Sequence, residues 1–369
     1  MQLFREYFPS GHHLTTVGFP LEPPITRGMH LAVEGFKQIG TVLVPANITG
    51  NWNDPAVVDR VQTNLMEIGS VLRGSSKPDY PQYLNPACKI YHLFILADVR
   101  QDDITTWYTP EEPEGGEMSF FGEANYARLL AELLKGPAHS DGLVTLDLHS
   151  RRAGKLFDLV QLPHANITAL PKFIQWLDNH GYTKDDPDII IASCDYGDLT
   201  RAWELSERTG IPIAALIHKR REDQSLIAAL NRGNVKGKKV IIWDDMISSA
   251  GTLARDVDLL FKEEATEVVF MATHPVFAGK YRENIKLIKK KYGDKVKIVT
   301  SNSLVVGSDR MPIGVERVDI EEIVTETARC LITCSFPEAK ARLQDLGYIH
   351  ELDSPDDAMI KIARKLIGE

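Results

Sequence analysis

Short runs of Val, Ile and Leu, separated by stretches of helical periodicity, constrain this chain more than any other feature. Residues 90–97, 143–146, 189–192, 240–243 and 268–272 are such runs. Each is too short to stand as a free helix. Continuous apolar runs of this length fit strands buried on both faces of a parallel sheet. Between them, over 124–134, 199–208 and 252–264, apolar residues recur at helical spacing. This alternation predicts an α/β fold with mostly parallel sheets. In such sheets ligands bind beyond the carboxyl ends of the strands. The residues just after each apolar run are therefore the candidates for chemistry.

A chain of 369 residues has room for two or three domains of this kind. Its formal net charge of −9 opposes non-specific binding to nucleic acid or anionic lipid. No apolar run approaches the roughly 20 residues of a membrane helix. The start, Met1-Gln2-Leu3-Phe4-Arg5-Glu6, lacks the basic-then-apolar layout of a signal peptide. These features predict a cytoplasmic protein with neither a nucleic-acid nor a membrane partner. Cys88, Cys194, Cys330 and Cys334 form no CxxC pair, and reduced structural thiols are expected. Residues 74–86, with Pro78, Pro81 and Pro86, read as a loop, as does the acidic stretch 108–116. From Pro337 onward the pattern is helical, over 339–343 and again over 359–366.

The strongest local signal comes after the run Val240-Ile241-Ile242-Trp243. Asp244 and Asp245 come next, then Met246-Ile247-Ser248-Ser249-Ala250-Gly251-Thr252, where a helix opens. Small residues let backbone N–H groups approach a phosphate. The helix N-terminus adds favourable partial charge, and Ser248, Ser249 and Thr252 add hydroxyl donors. Paired carboxylates at Asp244 and Asp245 suit two hydroxyls of a sugar.

This stretch resembles the ribose 5-phosphate loop shared by phosphoribosyltransferases and ribose-phosphate pyrophosphokinases, the enzymes that make phosphoribosyl pyrophosphate (PRPP). Further stretches are similar to the pyrophosphokinases, and in their order. Arg100-Gln101-Asp102 resembles that family's RQD element, which implies that Arg100 and Gln101 contact ATP. Asp147-Leu148-His149 resembles its DLH element, which implies that His149 helps to bind the magnesium nucleotide. His218-Lys219-Arg220-Arg221 is similar to its catalytic loop, placing Lys219 and Arg221 on the transferring phosphates. Thr273-His274-Pro275-Val276-Phe277-Ala278-Gly279 resembles its THGVFSG run. Weaker echoes are Asp195-Tyr196-Gly197 with Arg201, and Thr300-Ser301-Asn302-Ser303.

The resemblance implies two phosphoribosyltransferase-like domains, over 1–165 and 166–336, with a helical extension over 337–369, assembled as a homo-oligomer. It implies Mg2+ as cofactor, with His149 and Asp195 as metal partners. ATP and ribose 5-phosphate would be the substrates. Lys219 and Arg221 would be catalytic, and Asp244, Asp245, Ser248, Ser249, Ala250, Gly251 and Thr252 would hold the ribose phosphate.

The chain also departs from the family. Phe19-Pro20-Leu21-Glu22-Pro23 stands where the family has a Phe-Pro-Asp-Gly-Glu nucleotide loop, so the Asp is missing. Asp103 comes after the RQD element in place of a basic stretch. Asp198 replaces a common Gly, and Ser248 replaces a common Asp. These changes leave three alternatives beside PRPP synthesis. One is the same chemistry on a larger acceptor such as ADP-ribose. The others are a non-catalytic regulatory subunit and a PRPP-consuming transferase.

Overall fold

The computed structural model describes residues 3–7, 13–17, 41–48, 89–97, 126–148, 154, 157–193, 199–216, 235–304, 306 and 310–349. The chain divides into two compact units. Met1–Ile167 and Thr325–Ile349 form the first, and Thr168–Val324 with His350–Glu369 the second.

The first unit holds a six-stranded sheet in simple chain order. Its strands are β1 (Leu3–Tyr7), β2 (His13–Val17), β3 (Thr41–Ile48), β4 (Lys89–Ala97), β5 (Gly142–Leu146) and β6 (His164–Ile167). β1 and β2 are antiparallel, and every later pair is parallel. β5 is buried along its whole length, as an inner strand covered on both faces must be. Helix α1 (Tyr126–Lys135) makes the crossover from β4 to β5. The polar end of that crossover is tied back to the sheet. Asp141 Oδ2 accepts the Ile90 N–H at 2.7 Å, and Ser140 Oγ meets the buried His92 ring at 2.9 Å.

The second unit holds a six-stranded, wholly parallel sheet in the order β12-β11-β10-β9-β7-β8. These strands are β7 (Ile189–Ser193), β8 (Ile213–Leu216), β9 (Lys239–Met246), β10 (Glu267–His274), β11 (Val296–Ser301) and β12 (Val315–Val318). Helices α2 (Leu170–Asn179), α3 (Leu199–Thr209), α4 (Gly251–Lys262) and α5 (Tyr281–Tyr292) accompany them. Leu253 and Val257 of α4 and Ile285 and Ile288 of α5 pack with Val240, Ile242, Val268 and Phe270 in one core. From β7 the chain goes outward to β8, then returns to β9 on the other side of β7. The β7–β9 boundary is thus a topological switch point, where a crevice opens beyond the strands' carboxyl ends.

Helix α6 (Glu321–Thr333) carries the chain back to the first unit, and α7 (Phe336–Asp345) comes after it. A capping box starts α7: Ser335 and Glu338 satisfy each other's backbone N–H groups, and Pro337 occupies the first turn. Phe336 packs at Gly142, where an added Cβ would lie 2.7 Å from the phenyl ring. Its ring also lies 5.6 Å from that of Tyr91. Ile349 then bridges to Ile167 at the end of β6. Residues 336–349 therefore pack into the first unit's core. The aromatic anchor Phe336 and the side-chain-free Gly142 explain the docking. The rest of the expected extension, 350–369, lies outside the described residues. So do the two stretches read as loops, 74–86 and 108–116.

Candidate active site

The site is built on β9 and on the loop and helix after it. β9 stays paired with β10 as far as Met246 opposite His274, so Asp244 and Asp245 are held on a strand rather than on a loop. Asp245 is 3% exposed, while Asp244 is half-buried. Asp244 Oδ1 accepts the Asp245 N–H at 2.8 Å, which fixes the first carboxylate against the strand end.

Ile247 is buried, Ser248 is half-buried, and Ser249, Gly251 and Thr252 are exposed. Ala250 sits in the left-handed region, with φ 58° and ψ 20°, at the N-cap of α4. That conformation turns the chain sharply into the helix. The first N–H groups of any helix lack an intrahelical acceptor. Among the described residues, the Gly251 N–H meets only Ser249 Oγ, at 3.3 Å. Among the same residues, no acceptor engages the N–H groups of Ser248, Ser249 or Ala250. A short loop of small residues with unused N–H donors, opening a twelve-residue helix, is a ready anion site.

A turn after β10 supports this loop. The Ile247 N–H donates to the His274 carbonyl at 2.9 Å. The Phe277 N–H donates to the Ile247 carbonyl at 2.9 Å, and the Ala278 N–H to the Ser248 carbonyl at 3.1 Å. Asn284 Nδ2 donates to the Ser249 carbonyl at 2.8 Å. With its carbonyls fixed from below, the loop keeps its N–H groups for a ligand. The turn itself is braced. Phe277 is buried with φ 46°, and its ring stacks on Tyr281 at 5.1 Å. Arg310 Nη2 donates to the Phe277 carbonyl at 3.1 Å, and the Tyr281 hydroxyl donates to the Arg310 carbonyl at 2.9 Å. The sequence pointed to residues 273–279 only through a resemblance. Their part as a cradle was not legible, because backbone groups make these bonds.

Of the residues singled out from the sequence, Asp244, Asp245, Ser248, Ser249, Ala250, Gly251 and Thr252 come together as one strand–loop–helix corner. Arg100, Gln101, His149, Asp195, Lys219 and Arg221 lie outside the described residues. The strand end that leads to His149 is described. Asp147 is buried with φ 43°, and its N–H donates to the Ile167 carbonyl at 2.9 Å. Asn166 Oδ1 accepts from Thr145 Oγ1 and from the Leu148 N–H, at 2.9 and 3.0 Å. Asp147 and Leu148 thus sit in a tightly bonded turn at the carboxyl end of β5. Arg201 lies in α3, half-buried. Among the described residues, no three His, Cys, Asp or Glu side chains converge as a metal site. Cys330 is buried and Cys334 half-buried, both as free thiols, and burial pushes the Cys330 thiol up.

Comparison with known proteins gives this geometry a context. Residues 163–308 match the phosphoribosyl transferase domain family. Over 202 residues the chain is 31% identical to ribose-phosphate pyrophosphokinase 1 of Streptococcus pyogenes, covering 54% of this chain and 60% of that protein. It is likewise 31% identical over 201 residues to the ribose-phosphate pyrophosphokinase of Bacillus anthracis, covering 54% and 59%. The chain therefore spans about 60% of the length of the curated relatives it matches. A crystal structure of phosphoribosylpyrophosphate synthetase from Mycobacterium smegmatis shares the fold. Its TM-score is 0.57 at 22% identity, covering 89% of this chain and 90% of that one. The strand–loop–helix corner lies within the stretch that matches the phosphoribosyl transferase domain family. The chain that carries it is similar to ribose-phosphate pyrophosphokinases over 54% of its length. No helix among the described residues is long and apolar enough to cross a membrane.

Proposed function

We propose that this chain transfers the pyrophosphoryl group of ATP to the anomeric hydroxyl of ribose 5-phosphate, giving PRPP and AMP. One observation carries the reading. The corner from Asp244 to Thr252, with two carboxylates and unused N–H donors, stands at the switch point of a phosphoribosyl transferase domain. The 5-phosphate fits the N–H groups of 248–251 and the hydroxyls of Ser248, Ser249 and Thr252. The ring hydroxyls fit the carboxylates of Asp244 and Asp245. Held there, the sugar directs its anomeric oxygen at the β-phosphorus of ATP. A bond forms between that oxygen and the β-phosphorus as the bridge to the α-phosphate breaks. AMP leaves with the bridging electron pair, and the hydroxyl proton passes to solvent. Such a transfer depends on positioning and on neutralising dispersed negative charge.

Lys219 and Arg221 supply the cationic part in this reading, and Arg100 and Gln101 the contacts to ATP. Mg2+, when bound, neutralises phosphate charge, with His149 and Asp195 as its protein partners. Asp244 and Asp245 have the hard oxygen donors such an ion takes. Ser248, where the family commonly has Asp, removes one negative charge beside the phosphate and adds a donor. The same reading gives a cytoplasmic homo-oligomer, to be checked by light scattering of the purified protein.

The test is a mass-resolved turnover assay with Mg2+, ATP and ribose 5-phosphate. PRPP and AMP in equal amounts are expected. Product from ADP-ribose alone, or pyrophosphate release from PRPP with a base, would replace this reading. Lys219→Ala is expected to abolish turnover while leaving the circular dichroism spectrum unchanged. Near-normal activity of that variant would remove the catalytic role from the 218–221 loop.

A further inference from the structure

Behind the β9–α4 corner runs a series of hydrogen bonds that joins the ends of β10 and β11. Ser301 Oγ lies 2.6 Å from the Thr273 carbonyl, and Ser303 Oγ lies 3.0 Å from the same oxygen. A carbonyl only accepts, so both hydroxyls have it within donating distance. Ser301 Oγ in turn accepts the Ser303 N–H at 3.0 Å. His274 Nδ1 lies 3.0 Å from Ser303 Oγ. With the Ser303 hydrogen on the Thr273 carbonyl, Nδ1 is the donor to Ser303 Oγ and carries a proton, and this is the tautomer the latch requires. Thr273 and Ser301 are fully buried and His274 is 1% exposed, so water is kept from the Ser301–Thr273 bond, while Ser303 is half-buried at the outer end of the series.

The position of this series in the sheet matters. The β10–β11 ladder ends with Ala272 opposite Thr300, whereas β9 and β10 stay paired to Met246 and His274. Beyond Ala272, side chains of the β11 end take over from the ladder in holding β10. The His274 carbonyl then receives the Ile247 N–H, where the chain leaves β9 for the loop.

We propose that His274 is a positioning residue for the β9–α4 loop, latched through Nδ1 by Ser303 and Ser301, and that the latch holds the loop in its anion-binding shape. The ligand is the 5-phosphate of ribose 5-phosphate, so the functional half of this inference rests on the preceding reading. His274 acts through its own backbone: the ring fixes the peptide, and the peptide carbonyl fixes Ile247.

The full chain and the variants Ser303→Ala, Ser303→Thr and His274→Phe test this. The first readout is backbone amide exchange, which needs no activity. In Ser303→Ala, exchange at Ile247, Phe277 and Ala278 is expected to rise about tenfold, the size of one lost hydrogen bond. Exchange in the β9 interior, at Val240 to Trp243, is expected to stay unchanged. The second readout is the imidazole 15N spectrum of His274, expected to show a protonated Nδ1 in the parent and a tautomer mixture in Ser303→Ala. The third is kinetic: KM for ribose 5-phosphate rises about tenfold, KM for ATP stays within about twofold, and Ser303→Thr restores the parent value. Unchanged exchange in Ser303→Ala, or an equal rise along the whole of β9, would overturn the latch. So would an unprotonated Nδ1 in the parent. If His274→Phe does not fold, the serine variants decide alone. If the parent makes no PRPP, the reading of function fails, and exchange and 15N data still judge the latch.

Discussion

Ala250 holds a backbone conformation that costs an L-residue about 1–2 kcal/mol, at φ 58° in the middle of the anion corner. A glycine there would relieve that strain but would add entropy to the unfolded chain. Ala250→Gly is therefore expected to raise stability in urea unfolding by no more than about 1 kcal/mol. Asp245, a ribose contact in the proposed reading, is buried to 3% at the strand end. Asp245→Asn is expected to raise KM for ribose 5-phosphate by roughly 10- to 100-fold, the range for a hydrogen bond to a charged group. KM for ATP should change much less, and equal losses for both substrates would mark a folding defect instead. His92 belongs to stability. Burial lowers its pKa from 6.5 to about 3, so the folded protein keeps it neutral. Below pH 6.5 the unfolded chain takes up a proton that the folded chain refuses, and stability declines as pH falls toward 3. The slope from this group is about 1.4 kcal/mol per pH unit. The His92 ring resonances should accordingly show no titration between pH 7.5 and 5 in NMR spectra. At this scale the sequence was readable where side chains do the work, as at Asp244, Asp245 and Ser248. It reached Phe277 and Ala278 only through a resemblance, because their backbone N–H groups hold the loop whatever their side chains are.

Periodicity located most elements to within a few residues. The apolar run 189–192 became β7 (Ile189–Ser193), and 240–243 became the core of β9 (Lys239–Met246). The helical stretches 199–208 and 252–264 became α3 and α4. β9 and β10 run past their apolar runs into polar residues, Asp244 and Asp245 in one and Thr273 and His274 in the other. Pairing with a neighbour, which hydropathy does not report, keeps those residues in strands. The antiparallel pair β1–β2 was likewise not foreseen, since neither strand carries a continuous apolar run. The helical pattern of α7 was readable, but its docking partner was not, because the contact depends on an absent side chain. Gly142→Ala brings a methyl group to 2.7 Å from the Phe336 ring. Overpacking of this kind is expected to lower stability by roughly 1–3 kcal/mol, measured by denaturant unfolding. The companion Phe336→Leu change should recover part of that loss.

The two units divide the proposed chemistry unequally. The carboxylates, the anion loop and its bracing turn all lie in the second unit, within residues 163–308 matched by the phosphoribosyl transferase domain. Ribose 5-phosphate is accordingly expected to slow amide exchange over 247–252 and 274–278 while leaving β5 and β6 unaffected. Protection confined to β5 and β6 would place the sugar site elsewhere. The fold class was legible from the strand–helix alternation alone. The chain's return to the first unit at Thr325, after the second, leaves no local mark in the sequence. That return has a consequence for how the protein is made. A nascent chain leaves the ribosome from its amino end, and domains generally fold as their residues emerge. The second unit's described core, from Thr168 to Val324, is complete in sequence before Phe336 appears. The sheet begun first must therefore wait, with the place of Phe336 beside Gly142 and Tyr91 unfilled, until the later unit has been synthesised. In translation the order of birth and the order of completion are reversed, and Tyr91 on β4 and Gly142 on β5 stay uncovered until Phe336 is made.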